Sequence, residues 1–191
     1  MTETTLSGYR VLAIVTNYGV EQDELVVPAE HLRERGATVV VAAASTDPVQ
    51  TLVGDKDPGR TVLPDTTFGD AGSDFDLLLV PGGTLNADSL RLESGAVDTV
   101  RAFASSGRPI AAICHGPWAL VEADVVRGRT VTSYPSLQAD LRNAGATWVD
   151  QSVSVDDGGT FTLVTSRTPD DLEDFLPAVE KALAGSRDRE G

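Results

Sequence analysis

The chain has 191 residues, of which 41% are hydrophobic and 23% are charged. This length fits one domain with a sizeable core, and the composition is typical of a globular protein rather than of a disordered chain. The formal net charge is −14, from 29 acidic and 15 basic residues, which argues against a nucleic acid as partner. A single cysteine excludes an intrachain disulfide.

The charged residues are unevenly chosen. Arginine occurs 13 times and lysine only twice, while aspartate outnumbers glutamate by 19 to 10. An acidic surface with few lysines is typical of a protein that works in concentrated salt, where ions screen its self-repulsion. A GC-rich genome, which favours arginine codons, is the alternative, and we favour the halophilic interpretation. The chain shows no leader-like N-terminus and no apolar run long enough to span a membrane, so we expect a cytoplasmic protein with no membrane partner.

Apolar strands alternate with amphipathic helices along the chain. The predicted strands are Tyr9–Thr16, Ala37–Ala44, Asp76–Val80, Pro109–Ile113, Thr130–Ser133, Val153–Val155 and Phe161–Thr165, the last two forming a hairpin. The predicted helices are Glu21–Arg35, Ser94–Ser106, Pro117–Asp124, Ser136–Asn143 and a last one that begins after Thr168 as N-cap. Residues 47–64 are rich in turn formers, which predicts a small excursion of the chain or a hairpin.

This alternation predicts an α/β fold with three layers, a flavodoxin-like sandwich. Strands that are apolar throughout must be covered on both faces, so the sheet is expected to be mostly parallel with helices on each side. We expect one domain over residues 1–191, with flexible tails at 1–8 and 186–191.

A candidate nucleophile falls at the end of the fourth long strand. Cys114 stands between that strand and a helix that begins with Gly116 and Pro117, which is the sequence form of a nucleophile elbow. The positive end of a helix and its free amides would lower the pKa of a thiol there. The alternative is a cysteine that only fills space in the core. His115 next to it is either a general base or an ordinary surface histidine.

Other candidates follow the ends of neighbouring strands, the edge where ligands bind in such folds. Gly82 and Gly83 offer backbone amides for an oxyanion hole, or only a tight turn. Glu21 and Glu24 are three residues apart after the first strand. They either face a pocket or only interact favourably with the helix dipole. One cysteine and two histidines leave no metal-ligand spacing, so we expect neither metal nor cofactor.

These motifs together resemble the ThiJ/PfpI superfamily, most densely its PfpI branch. The matching segments are residues 19–28, 79–83, 109–117, 127–135, 143–150 and 165–172, in family order. The resemblance implies that Cys114 is the nucleophile, that His115 is the general base, and that Glu21 hydrogen-bonds the thiol and tunes it. A protonated Glu21 would donate to the sulfur, so we expect a lowered pKa for Cys114 and a raised one for Glu21.

The same resemblance implies the rest of the site. It predicts an oxyanion hole from the amides of Gly83 and His115, with Tyr134 as an aromatic residue of the pocket. It also predicts a homodimer or a larger oligomer such as a hexamer, in which an acid of a neighbouring subunit completes a triad. Asp88 is the nearest candidate, with a shorter side chain and a position shifted by one residue from the family's glutamate.

Three functions fit this site. The first is a stress-response enzyme that acts on aldehydes such as methylglyoxal or on their protein adducts, in the manner of a glyoxalase III or deglycase. The second is an intracellular peptidase or amidase that forms an acyl-enzyme on Cys114. The third is an oxidation-sensing chaperone, in which Cys114 becomes a sulfinic acid held by Glu21. We expect the first, with a small carbonyl compound or a peptide as substrate.

Overall fold

The computed structural model describes residues 5–187, which fold into a central sheet with smaller sheets beside it. The strands are β1 Arg10–Ile14, β2 Tyr18–Glu21, β3 Thr38–Ala43, β4 Val49–Val53, β5 Asp57–Val62, β6 Thr66–Thr67, β7 Leu77–Val80, β8 Ile110–Ile113, β9 Thr130–Val131, β10 Thr147–Trp148, β11 Val153–Asp156 and β12 Leu163–Ser166. The α-helices are α1 Gln22–Glu34, α2 Thr84–Leu90, α3 Ser94–Ser105, α4 Pro117–Glu122, α5 Gln138–Asn143 and α6 Leu172–Ala184. Single 3-10 turns, Pro135–Leu137 and Pro169–Asp171, precede α5 and α6.

The central sheet has seven strands in the order β11-β12-β8-β7-β1-β3-β6. Neighbours are parallel except β11, which runs antiparallel to β12. The predicted α/β sandwich with a mostly parallel sheet is therefore confirmed, and so is the predicted late hairpin. None of the helices within residues 5–187 is long and apolar enough to cross a membrane.

Both faces of the sheet are buried, which explains why its strands are apolar throughout. On β1, Val11 and Ala13 belong to a core shared with α1 and α6, whereas Leu12 and Ile14 belong to a second core shared with α3, α4 and α5. Successive side chains of a strand point to opposite faces, so one strand supplies both cores. The helices form the two outer layers.

The hairpin predicted within residues 47–64 exists and reaches toward the site. Strands β4 and β5 pair antiparallel, and β2 pairs with β4 in a separate three-stranded sheet. Because β2 follows β1 directly in the chain, this small sheet lies beside the carboxyl ends of the central strands. The β4–β5 turn, with Gly54 and Asp55 at its start, is thereby brought to the same edge.

Two differences from the sequence prediction bear on the site. The first helix begins at Gln22, and Glu21 is the last residue of β2. Helix α2 was not predicted, because four of its seven residues, Thr84, Asn86, Asp88 and Ser89, have lower helix propensity and the helix is short. Its buried Asn86 accepts from the amide of Thr16 at 2.7 Å and donates to the carbonyl of Gly82 at 2.9 Å.

Of the tails expected to be flexible, residues 1–4 and 188–191 lie outside the described residues. The described parts pack on the domain. Leu6 is fully buried, and the guanidinium of Arg187 forms an ion pair with Asp76 at 3.0 Å. Residues 5–8 and 186–187 are thus anchored to the core in this structure.

Candidate active site

Cys114 occupies the sharp turn that the sequence predicts between a strand and a helix. It follows β8 directly and has a φ of 62°, in the left-handed region that a non-glycine residue adopts at a cost. Its amide donates to the carbonyl of Ser166 at 3.0 Å and its carbonyl accepts from Tyr134 at 2.9 Å. At Gly116 a Cβ would lie 2.3 Å from the carbonyl oxygen of Val80, so only glycine allows this tight exit into α4.

His115 stands beside the thiol in a geometry suited to proton transfer. Its Nδ1 lies 3.1 Å from the Cys114 sulfur. The ring stacks on Tyr134 with centroids 4.6 Å apart and contacts Trp118 at 5.3 Å. Burial lowers the pKa of His115, and the charge of Asp55 partly opposes this. A neutral imidazole with a free Nδ1 lone pair can accept the thiol proton at neutral pH.

The acid beside the thiol is Glu24, so the prediction that Glu21 hydrogen-bonds it is wrong. Glu24 lies in the first turn of α1, is fully buried, and interacts with the Cys114 side chain. Glu21, one residue before the helix, turns the other way. Its carboxylate accepts from the amides of Gly54 at 3.1 Å and Asp55 at 3.0 Å. The two acids share the segment but not the helix face, because the helix begins between them.

Glu24 is held as a neutral acid at neutral pH. Burial raises its pKa from 4.5 to about 8, against the opposing effect of the amide of Gly82, which donates to Oε2 at 2.8 Å. The other oxygen, Oε1, is buried and has no conventional hydrogen-bond partner. A proton on the carboxyl can be donated to the neighbouring sulfur, which would stabilise a thiolate.

The expected lowering of the thiol pKa is not what the environment produces. Burial raises the pKa of Cys114, and a charged Glu24 raises it further. The amides of Gly83 and His115 point at the sulfur and act in the opposite direction. Cys114 is only 5% exposed as a residue, and this burial, which the sequence does not reveal, outweighs the amides. The proton on Cys114 must therefore be removed as it reacts, and His115 is placed to do so.

The two predicted oxyanion-hole amides, of Gly83 and His115, lie together at the nucleophile. Gly83 has a φ of 81°, and a Cβ there would come within 2.3 Å of the carbonyl oxygen of Gly19. A Cβ at Gly82 would lie 2.7 Å from the Glu24 carboxyl and 2.8 Å from Cβ of Cys114. Neighbouring atoms approach both positions too closely for a side chain, so both residues must be glycine. The turn thereby brings its backbone close to Cys114 as well as connecting two elements.

The remaining predicted residue, Asp88, lies exposed on α2. Its expected contact is with a second subunit, so this role stays a prediction. The acid that the same chain brings toward His115 is Asp55, which the sequence analysis did not single out. Asp55 accepts from the amide and the hydroxyl of Thr84, at 2.8 and 2.7 Å. No pattern around the β4–β5 turn marks it, since the contact depends on the tertiary fold.

A cavity of about 310 Å³ opens above Cys114 and Tyr134. Five carboxyl groups line it: Glu21, Asp23, Glu24, Asp55 and Asp170. Such a volume lies at the small end of the range for small-molecule sites. Among residues 5–187, no group of three or more histidine, cysteine and acidic side chains is arranged to hold a metal ion.

The fold is thus an α/β sandwich that carries a buried thiol at a strand-to-helix turn, with a histidine and a neutral carboxyl against its sulfur. Comparison with known proteins gives the family: residues 9–182 match the DJ-1/PfpI family, and the chain belongs to it.

Individual relatives and one solved structure agree with this assignment. "Protein/nucleic acid deglycase 2" of Escherichia coli is 38% identical over 164 residues, which cover 86% of this chain and 92% of that protein. "Putative cysteine protease YraA" of Bacillus subtilis is 37% identical over 165 residues, 86% of this chain and 92% of that one. The crystal structure of Drosophila melanogaster DJ-1beta superposes with a TM-score of 0.81 at 32% identity, covering 97% of this chain and 95% of the other.

Proposed function

We propose that this chain is a DJ-1/PfpI-type stress enzyme in which Cys114 attacks reactive aldehydes such as methylglyoxal, or their adducts on protein amines. The observation that carries the proposal is the contact of 3.1 Å between Nδ1 of His115 and the sulfur of Cys114, a residue that lines a small pocket. The relative named a protein and nucleic acid deglycase supports the substrate class. The acid beside the sulfur, Glu24, supports it as well, because a neutral carboxyl can donate a proton to a reacting group.

The residues suffice for the conversion of methylglyoxal to lactate. His115 takes the thiol proton while the sulfur bonds to the aldehyde carbon, and the amides of Gly83 and His115 face the developing oxyanion, which is then protonated to a hemithioacetal. Having passed its proton to that oxyanion, His115 takes the hydrogen on the same carbon as a proton and returns it to the neighbouring carbonyl carbon through an enediol, which yields a thioester. Water then cleaves the thioester and restores the thiol. One carbon is oxidised and its neighbour reduced, so no external oxidant is needed.

A peptidase or amidase is the second candidate, supported by the relative named a putative cysteine protease. The same thiol and imidazole would form an acyl-enzyme and release an amine. The cavity of about 310 Å³ favours a small substrate over an extended peptide, which would need a longer groove. The oxidation-sensing chaperone would need the thiol but no turnover.

The experiment is a side-by-side turnover assay with methylglyoxal and a small amide substrate, at molar KCl. We expect lactate from methylglyoxal, and the loss of at least about 99% of that activity in Cys114→Ser, because an unactivated hydroxyl is a far weaker nucleophile. Cys114→Ser also serves as a control for contaminating activity. Amide cleavage without lactate would favour the peptidase, and the absence of both would favour the chaperone.

A further inference from the structure

We propose that Asp55, acting through the hydroxyl of Thr84, is a positioning residue that orients His115 and stabilises its protonated form. The inference rests on the proposed function, in which His115 takes a proton from Cys114. It places the third member of the proton-handling group within one chain, independently of any acid from a neighbouring subunit. Asp55 touches neither the sulfur nor the substrate carbon in this arrangement.

If His115 takes the thiol proton, the hydrogen bonds from Asp55 to its ring run in one direction. Nδ1 of His115 must be unprotonated to accept the thiol proton, so the neutral ring carries its hydrogen on Nε2. Nε2 lies 3.4 Å from Oγ1 of Thr84, and that hydroxyl is 2.7 Å from Oδ2 of Asp55. Since a carboxylate only accepts, the Thr84 hydroxyl donates to Asp55 and is left to accept from Nε2–H. The chain of groups therefore selects the tautomer that catalysis needs.

Asp55 is held firmly enough to play this part. Its other oxygen accepts from the backbone amide of Thr84 at 2.8 Å, so both oxygens bind one residue. Its own amide, with that of Gly54, donates to the carboxylate of Glu21. Its φ of 57° is left-handed, a conformation that an aspartate adopts at some cost and that the surrounding bonds maintain. This also gives Glu21 a structural role, in place of the one predicted at the thiol.

Among the groups around the His115 ring, Asp55 is the one whose charge favours the protonated imidazole. The titratable groups facing His115 are the Cys114 thiol at Nδ1, the Tyr134 ring stacked on one face, and Asp55 beyond Thr84. Trp118 contacts the ring from α4, and the hydroxyl of Ser136 lies 3.3 Å from Nε2. Asp55 raises the pKa of His115 while burial lowers it. Ser136 is a competing partner for Nε2–H, but no carboxylate stands behind it among the bonds described.

The test combines a spectroscopic and a kinetic measurement on the full chain. The sequence has two histidines, and His31 lies on α1 against Glu180, so ¹⁵N-labelled histidine gives two assignable rings. In Asp55→Asn and in Thr84→Val we expect a mixture of tautomers and a lowered pKa at His115, with His31 unchanged. We also expect kcat for methylglyoxal to fall about tenfold with KM within twofold, since only part of the acid–base contribution is lost. Thr84→Ser should restore both readouts.

Controls separate this chain of groups from general effects of charge and folding. Asp70 accepts from the hydroxyl of Thr67 at 2.8 Å away from the site, so Asp70→Asn and Thr67→Val break a matched bond and should leave kcat unchanged. Asp23→Asn removes the same charge from the same pocket without a bond to Thr84 and should cost much less than Asp55→Asn. The double variant of Asp55 and Thr84 should lose no more than either single one.

Three results would overturn the proposal: an unchanged tautomer in Thr84→Val, equal losses in Asp23→Asn and Asp55→Asn, or losses at Asp55 and Thr84 that multiply. Full effects in Ser136→Ala with none in Thr84→Val would assign the role to Ser136 instead. A wild-type protein without turnover would remove the proposed function, but the tautomer measurement would still decide whether Asp55 orients His115.

Discussion

Replacing Glu24 with glutamine should stabilise the protein by an amount that grows as the pH rises. Burial holds the pKa of Glu24 near 8 in the folded chain, whereas an unfolded glutamate titrates at its ordinary value of about 4.3. Between these two values the unfolded chain has released a proton that the folded chain keeps. The free energy of unfolding of the wild type therefore falls as the pH rises through this window.

The size of the effect follows from the two pKa values. Each pH unit inside the window costs about 1.4 kcal/mol, so from pH 5 to pH 8 the carboxyl costs the folded state about 4 kcal/mol. Glutamine is similar in size and does not titrate, so the Glu24→Gln variant escapes this loss. Its free energy of unfolding relative to wild type should rise by about that amount over the same range. All other titrating groups are common to both proteins and cancel in the difference.

The measurement is urea unfolding of both proteins at pH 5, 6.5 and 8, at one fixed KCl concentration. Glu30→Gln supplies the matched control, because Glu30 is an exposed acid on the same helix and pairs with Arg60 at 3.1 Å. It reports what the loss of one carboxyl does by itself. A difference between Glu24→Gln and wild type that stays constant with pH would show that Glu24 is not held neutral, and would remove it as a proton donor to the sulfur.

Three further predictions concern solvent, assembly and substrate charge. The net charge of −14 with two lysines predicts that the melting temperature rises with KCl up to molar concentrations. A melting temperature that stays flat or falls would contradict the halophilic interpretation and favour codon usage as the origin of the composition. The family resemblance predicts at least a dimer by light scattering, with Asp88 of one subunit approaching His115 of another, whereas a monomer would contradict it. The acidic pocket predicts that the anion 4-carboxyphenylglyoxal reacts with kcat/KM at least about tenfold below that of neutral phenylglyoxal, a difference of about 1.4 kcal/mol that KCl should reduce; equal values would mean that the pocket carboxyl groups do not act on substrate.

The fold could be predicted from local patterns because it depends on strands that are buried on both faces. Short apolar runs such as residues 76–80 and 109–113 are typical of buried parallel strands. A cysteine placed between the second run and Gly116 indicates the elbow. Local patterns did not predict helix α2, because it depends on tertiary hydrogen bonds of the buried Asn86 more than on helix propensity. Two-residue strands such as β6 and β10 are below the length at which periodicity carries information.

The site was predictable only as far as neighbours in sequence are neighbours in space. Cys114 and His115 are adjacent, and Gly83 follows the next strand of the sheet, so the topology brings them together. The choice between Glu21 and Glu24 depended on where the first helix begins, which sequence patterns give only to within a few residues. Asp55 reaches His115 through a hairpin whose place in the fold the sequence does not specify.

The features that surround Cys114 at the turn cost the fold stability. The cysteine is in a left-handed conformation, which costs roughly 1–2 kcal/mol for a residue with a Cβ. Glu24 is buried with one oxygen lacking a conventional partner, and it is kept neutral where water would ionise it. These costs are concentrated within one small pocket, while the strands beneath it are packed on both sides. A buried core of that extent can hold a strained turn and a neutral acid in place, so the sandwich serves the chemistry by fixing groups that would otherwise relax.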